Sequence, residues 1–286
     1  MPRLLQKLPD PTGNIVSNGK ATFLIPKGVS LHDVTFHFQD NAVDMTVAQM
    51  KARVDSIVLK VSGKAVREWT PTTLDIANAT NGAQYAASNG YLRDYYSEPW
   101  RRTIEGEERN AMGTQGVGDI TYEVKFNNAA VVPFVEAYAT IETADRPFTA
   151  YPFRHVRNYP GLPVANGRTQ MPGQGLLRDY GLFYDRIHFP SALVTSARIE
   201  VNKFVKWEDI PRTLLSEIFA KCGLSLQANC YSIAFSATSR QLTDLLASFV
   251  TLPGGGAQLV NDLRVELVGT GAGSVDAFTE QYQIFK

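Results

Sequence analysis

The stretch Leu92-Arg-Asp-Tyr-Tyr-Ser-Glu-Pro-Trp100 sets two carboxylates, Asp94 and Glu98, among large aromatics and arginines, and Glu105, Glu107 and Glu108 follow it. Paired acids are what glycoside hydrolysis uses, one to protonate the leaving oxygen and one to attack or to activate water. Aromatics beside acids can equally make a flat platform for a sugar. They can also anchor a subunit contact, with Tyr95, Tyr96 and Trp100 as anchors and Arg93, Arg101 and Arg102 in ion pairs. A second Leu-Arg-Asp-Tyr occurs at Leu177-Arg178-Asp179-Tyr180. Both copies lie in long irregular stretches, 83–118 and 158–182, and loops of that length in a compact β domain are usually functional or contact surface. Repetition of one aromatic-acid-base cluster favours contact over catalysis. Arg93, Asp94, Tyr95, Tyr96, Trp100, Arg178, Asp179 and Tyr180 are therefore candidate interface residues.

Other chemistries find little support. The four histidines, His32, His37, His155 and His188, form neither HxH nor HExxH, so the common zinc and cupin patterns are absent. His37-Phe38 and His188-Phe189 sit in similar strand contexts and read as structural. No GxSxG elbow occurs, and Gly63-Lys64 lacks the glycine-rich lead of a phosphate loop. Asp40, Asn41 and Asp44 offer oxygens to a calcium ion, which takes about six to eight of them; a solvated helix cap explains them as well. Glu136 and Glu280 lie in matched strands and read as edge-facing or inter-subunit charges. Cys222 and Cys230 are too few for a disulfide framework and read as small buried side chains. Asn78-Ala-Thr80 fits the glycosylation pattern, but Met1-Pro-Arg-Leu-Leu lacks the apolar region of a secretory signal, so the match reads as accidental. The chain is not expected to be an enzyme.

The elements that position these residues are written twice. Phe134-Val-Glu136-Ala-Tyr138 returns as Phe278-Thr-Glu280-Gln-Tyr282, 144 residues later. Val66-Arg67 answers to Val205-Lys206, Pro71 and Leu74 to Pro211 and Leu214, Gly82 to Gly223, and Ile120-x-Tyr122-x-Val124 to Leu263-x-Val265-x-Leu267, all in the same order. Ala52-Arg53-Val54 and Ala197-Arg198-Ile199 are a looser pair. A period near 140 residues is a whole domain, far too long for a solenoid unit.

Alternation marks strands at Val34–Phe38, Ile120–Phe126, Val131–Ile141, Phe183–Phe189, Ala197–Val205, Tyr231–Phe235, Leu263–Val268 and Phe278–Phe285. Helices are expected from Thr70-Pro71 to Asn81-Gly82, from an Asp209 cap through Pro211 to Gly223, from Ser239 to Phe249, and from Asp44 to Arg53. Each half is then about eight strands with one or two helices, and two sheets closing on one core make an all-β jelly roll. The expected organisation is an arm at 1–20, a first jelly roll at 21–145 and a second at 146–286, with the boundary near Asp145-Arg146-Pro147. In the arm, Leu4, Leu5 and Leu8 could form a short apolar helical stripe.

Lys plus Arg and Asp plus Glu number 28 each, giving zero formal charge. That excludes the basic surplus of a dedicated nucleic-acid binder and suits a chain that assembles. No apolar run approaches the ~20 residues of a membrane span.

Two tandem jelly rolls, no active-site motif and balanced charge resemble the double jelly-roll major capsid proteins of tailless, membrane-containing double-stranded DNA bacteriophages. The corticovirus coat protein is the most similar type. The resemblance covers about residues 20–286. It rests on the duplication and on the strand-helix order, especially Trp69-Thr-Pro71 to Gly82 and Trp207-Glu-Asp-Ile-Pro211 to Gly223. It implies a homotrimer whose six jelly rolls form a pseudo-hexagonal capsomer, packed among neighbouring capsomers in an icosahedral shell over an internal lipid membrane. Penton and minor capsid or membrane proteins would be further partners, structural calcium a possible constituent, and the virion the location after synthesis in the host cytoplasm. Arg3, Leu4, Leu5, Lys7 and Leu8 would then form an arm against the membrane or a neighbour. The rivals are a two-domain β-sandwich glycan-binding spike or adhesin, and a glycan hydrolase using acids near Asp94 and Glu98.

Overall fold

The computed structural model describes residues 3–101, 107, 110–143, 153–170, 182–236, 246–247, 249–251, 257–260 and 262–283. The chain divides into two compact units, Met1–Arg154 and His155–Ile284. The boundary expected at Asp145-Arg146-Pro147 lies outside the described residues.

The first unit has eight principal strands: β1 (Leu4–Lys7), β2 (Lys20–Leu24), β3 (Ser30–Asp40), β4 (Val54–Val61), β5 (Lys64–Trp69), β6 (Tyr91–Tyr95), β7 (Ile120–Phe126) and β8 (Pro133–Glu142). They form two antiparallel sheets in the orders β1-β8-β3-β6 and β2-β7-β4-β5. Successive side chains of a strand face opposite sides, so Val34, Phe36 and Phe38 of β3 point inward together while Thr35, His37 and Gln39 point out. Phe36 meets Tyr122 edge-on at 5.1 Å and Phe38 meets Phe126 at 6.3 Å, joining the two sheets through one aromatic core. Each such fully buried ring contributes roughly 1.5–3 kcal/mol.

The second unit repeats this order with β9 (Phe153–Val164), β10 (Gly167–Gln170), β11 (Leu182–Phe189), β12 (Val194–Val201), β13 (Phe204–Trp207), β14 (Tyr231–Ala234), β15 (Leu263–Gly269) and β16 (Gly273–Gln283). Its sheets run β9-β16-β11-β14 and β10-β15-β12-β13. Each strand of the first unit thus has its counterpart eight places on. The repeated motifs land on matched strands: Val66 and Val205 on β5 and β13, Ile120 and Leu263 on β7 and β15, Phe134 and Phe278 on β8 and β16. This is the jelly-roll topology, present twice. Tyr184, Ile187, Phe189, Ile199, Tyr231, Ile233, Val265 and Leu267 fill the second core.

A helix follows β5 and another follows β13. The first after the short α1 (Val47–Arg53) is α2 (Pro71–Thr80), whose N-cap Thr70 exchanges hydrogen bonds with Thr73. The second is α3 (Arg212–Lys221), entered from Pro211 at the N-cap without a side-chain cap. Asp209, expected to cap it, instead accepts hydrogen bonds from Arg168 and Ser196. Because proline stands one place earlier relative to α3 than to α2, the counterpart of buried Leu74 is Leu215, and Leu214 is 52% exposed. The helix ends keep their match: Gly82 and Gly223 both take positive φ, 141° and 69°.

Three further expectations are corrected. The run Ala197–Val205 is a hairpin rather than one strand, because Asn202 and Lys203 adopt φ 50° and 68° and turn the chain. The helix expected to end at Phe249 does not: Leu246-Ala247 pairs with Phe183-Tyr184 and Phe249–Thr251 pairs with Ala257–Leu259, so sheet pairing overrides the helical spacing there; residues 237–245 lie outside the described ones. Leu4–Lys7 is a strand on β8, not a helical stripe. No helix among the described residues is long and apolar enough to cross a membrane.

Candidate assembly surface

The outward side of the β1-β8-β3-β6 sheet carries a connected set of polar side chains. At its centre Glu136 of β8 accepts hydrogen bonds from Lys7 of β1 and, at 2.9 Å, from the Tyr138 hydroxyl. His37 Nδ1 lies 3.8 Å from the same carboxylate, and His37 Nε2 is 2.8 Å from Asp44 Oδ1. The imidazole stacks on Tyr91 at 4.6 Å, and Gln39 donates to Asp44 at 2.9 Å. The Lys7 hydrogen bond holds Glu136 below the usual carboxylate range, and those of Gln39 and then His37 do the same for Asp44. Arg93 donates to Thr35 at 2.8 Å and lies 3.7 Å from Asp33, whose carboxyl burial pushes upward. Such a half-exposed, matched lattice holds no nucleophile with its base. It is suited to contact with another polar surface.

Apolar groups rim this face. Val43, Val131 and Val132 are 58–66% exposed where β3 ends and β8 begins, Phe134 and Tyr91 are 44% and 43% exposed, and Leu4 and Leu5 on the edge strand are 51% and 70% exposed. In the second unit Phe204 and Val205, just past the β12–β13 turn, are 72% and 40% exposed.

Several expected interface anchors are instead core. Asp94 is 1% exposed and pairs with Arg67, Nη1 to Oδ1 at 2.8 Å, while Tyr122 donates to its other oxygen at 2.5 Å. Tyr96 is fully buried, its hydroxyl bonded to that of Tyr122 and its ring 4.2 Å from the Arg67 guanidinium. Burial, and after it the Asp94 charge, pushes both tyrosine hydroxyls well above their ordinary value. Tyr95 is buried in an aromatic cluster with Tyr85 and Trp100, the latter half-buried beneath Arg154 at 5.7 Å. The reason is the register of β6, which turns Leu92 and Asp94 to the core where Arg67 waits on β5. Arg93 keeps an exposed side chain, and Arg178, Asp179 and Tyr180 lie outside the described residues.

The same geometry removes the acids from sugar chemistry. Asp94 and Glu98 are both about fully enclosed, Glu98 held by Arg101, and Glu107 pairs with Arg3 at 2.6 Å. Glu280, expected at an edge, is fully buried between His188 at 2.8 Å and Arg186 at 3.8 Å, with Ser232 2.8 Å from the far ring nitrogen of His188. Leu8, placed with the arm, is 2% exposed and its N–H donates to Ala137.

The calcium candidates do not fit the ion. Asp40 faces Arg53 at 2.6 Å and accepts the amides of Val131 and Val132, and Asp44 is bonded to His37 and Gln39. Among the described residues no group of three or more His, Cys, Asp or Glu converges to hold a metal. Asn78 is buried and donates to Arg93 O at 2.7 Å, which closes it to glycosylation. Cys230 is buried, its thiol pushed up to about 11, and Cys222 is half-buried.

Sequence reasoning did not find the Arg67 network, since nothing local marks an arginine between Val66 and Trp69 as buried. The bare tip at Phe204-Val205 did leave a signal: two adjacent apolar residues on one strand cannot both face a core.

With the geometry described, residues 5–142 match the family model "Viral coat protein P2 N-terminal domain". No curated protein matches by sequence. The whole chain is similar to the major capsid protein P2 from Bacteriophage PM2, with TM-score 0.84, 15% identity and coverage of 100% of this chain and 98% of that one. It is also similar to the STIV MCP, with TM-score 0.68, 11% identity and coverage of 99% and 97%. The Faustovirus major capsid protein gives TM-score 0.58, 8% identity and coverage of 100% and 90%. Identities this low establish the shared fold.

Proposed function

We propose that this chain, a double jelly-roll viral major capsid protein whose first unit belongs to the coat protein P2 N-terminal domain family, works as a homotrimer in an icosahedral shell. The observation that carries the proposal is the identity of strand order in the two units. Three copies of such a chain supply six similar domains, so a threefold assembly fills a lattice position with six neighbours. Edge strands in jelly rolls must be covered or blunted, and a closed ring of domains covers them. Zero net charge leaves no long-range repulsion between copies.

The partners that follow are neighbouring capsomers, a penton protein, minor capsid or membrane proteins and a lipid membrane beneath the shell, with the virion as location after synthesis in the host cytoplasm. No catalytic step and no sequence-specific nucleic-acid contact belong to this role. If calcium bridges subunits, its ligands come from more than one copy, and a chelator dissociates the trimer. Electron microscopy of the purified protein tests the proposal: top views should have six lobes in threefold arrangement. Isolated two-lobed particles at every concentration would overturn it.

A further inference from the structure

We infer that β13 of one copy lies edge to edge with β1 of a second copy, continuing a sheet across the subunit boundary. The inference rests on the trimer proposed above and names the strands that join it.

Both strands end their sheets. β1 closes the order β1-β8-β3-β6 and β13 closes β10-β15-β12-β13, so among the described residues each has a single strand partner. A free edge presents unpaired N–H and C=O groups and is normally blunted by proline, bulges or charge. Neither strand contains proline. Of their charged residues, Lys7 pairs with Glu136 yet stays half-exposed, Lys206 is exposed, and β13 carries one bulge at Lys206. Both edges also carry bare apolar residues: Leu4 and Leu5 on β1, Phe204 and Val205 on β13, all between 40% and 72% exposed. Each strand is four residues long, so the two ladders match in length.

The duplication identifies a copy of this chain as the occupant. In β5, the counterpart of β13, Val66 and Arg67 answer to Val205 and Lys206 and are 7% and 1% exposed, while Ala65, which answers to Phe204, is exposed as Phe204 is. In β9, the counterpart of β1, Val156 is 4% exposed, while Arg157, Asn158 and Pro160 further along it are exposed. Part of each strand position is thus enclosed in one repeat and bare in the other. The bare pair is the leading edge of the first repeat and the trailing edge of the second. Two different surfaces that meet head to tail make a heterologous contact, which closes into a ring when the rotation allows. Strand addition at a free edge supplies main-chain hydrogen bonds, and Leu4, Leu5, Phe204 and Val205 supply the apolar contact.

The test uses the full chain with Cys222→Ser to remove the accessible thiol, carrying Leu5→Cys and Val205→Cys together. Under mild oxidation, covalent dimers and trimers that revert on reduction are expected, and each single-cysteine chain should stop at dimer or below. Val205→Pro, which removes an edge N–H, should weaken the oligomer ~tenfold in midpoint concentration while leaving the fold's circular dichroism unchanged. A trimer by mass with no cross-link and no Val205→Pro effect would overturn the strand pairing and leave the trimer standing. A monomeric parent would overturn both. Leu5→Cys shielded from a soluble maleimide only when anionic phospholipid vesicles are added would assign the arm to the membrane and overturn the pairing.

Discussion

Arg67→Ala is expected to destabilise the first unit by about 3–5 kcal/mol, because it strands a carboxylate in the core. Arg67 and Asp94 are 0% and 1% exposed in their side chains and 2.8 Å apart. Arg67 also donates to Arg154 O at 2.6 Å and Tyr95 O at 3.1 Å, tying β5 to β6. Removing it leaves Asp94 with the Tyr122 hydroxyl as its remaining polar contact among those described above, far short of what a buried charge requires. The double variant Arg67→Met with Asp94→Asn removes both charges and keeps an acceptor for Tyr122. It should therefore recover most of the loss, since a buried ion pair is often replaceable as a unit. Urea unfolding of the two variants measures this. An Arg67→Ala chain within ~0.5 kcal/mol of the parent, the range of ordinary surface changes, would show that the pair does not hold this core together.

The second large effect uses the repeat as its own control. Glu280→Leu should cost the second unit about 3–5 kcal/mol, leaving buried His188 and Arg186 without their shared carboxylate. Glu136→Leu, at the matched position of the first unit, should cost less than ~1 kcal/mol. The motif is the same and the surroundings differ: Glu280 is fully enclosed, whereas the Glu136 side chain is 20% exposed against a half-exposed Lys7. Thermal unfolding of both variants separates the cases. Equal losses would mean that burial does not set the cost at these positions.

The duplication, most strands and α2 were legible because each depends on local pattern: alternation in Ile120–Phe126, a threonine cap before Pro71, glycine at the helix ends. What the sequence hid depends on distant partners. Leu92-Arg-Asp-Tyr-Tyr-Ser reads as a polar loop until Arg67, 27 residues earlier, is found opposite Asp94. Glu280 reads as a surface acid until His188, 92 residues away, is found beside it. The arm misled differently. Leu4, Leu5 and Leu8 have helical spacing, but the free edge of β8 offers their backbone a ladder and draws them into a strand. Adjacent Phe204 and Val205 read as the end of one long strand because the Asn202-Lys203 turn carries no glycine.

The central claim is that this chain acts as three copies of a double jelly roll. The solution mass of the purified chain by light scattering, measured across a range of concentrations with and without a calcium chelator, tests it most directly. A single chain weighs 31.6 kDa, so three weigh 94.8 kDa, and a stable species at that mass is the expected result. A species of 31.6 kDa at every concentration, with and without calcium, would contradict it.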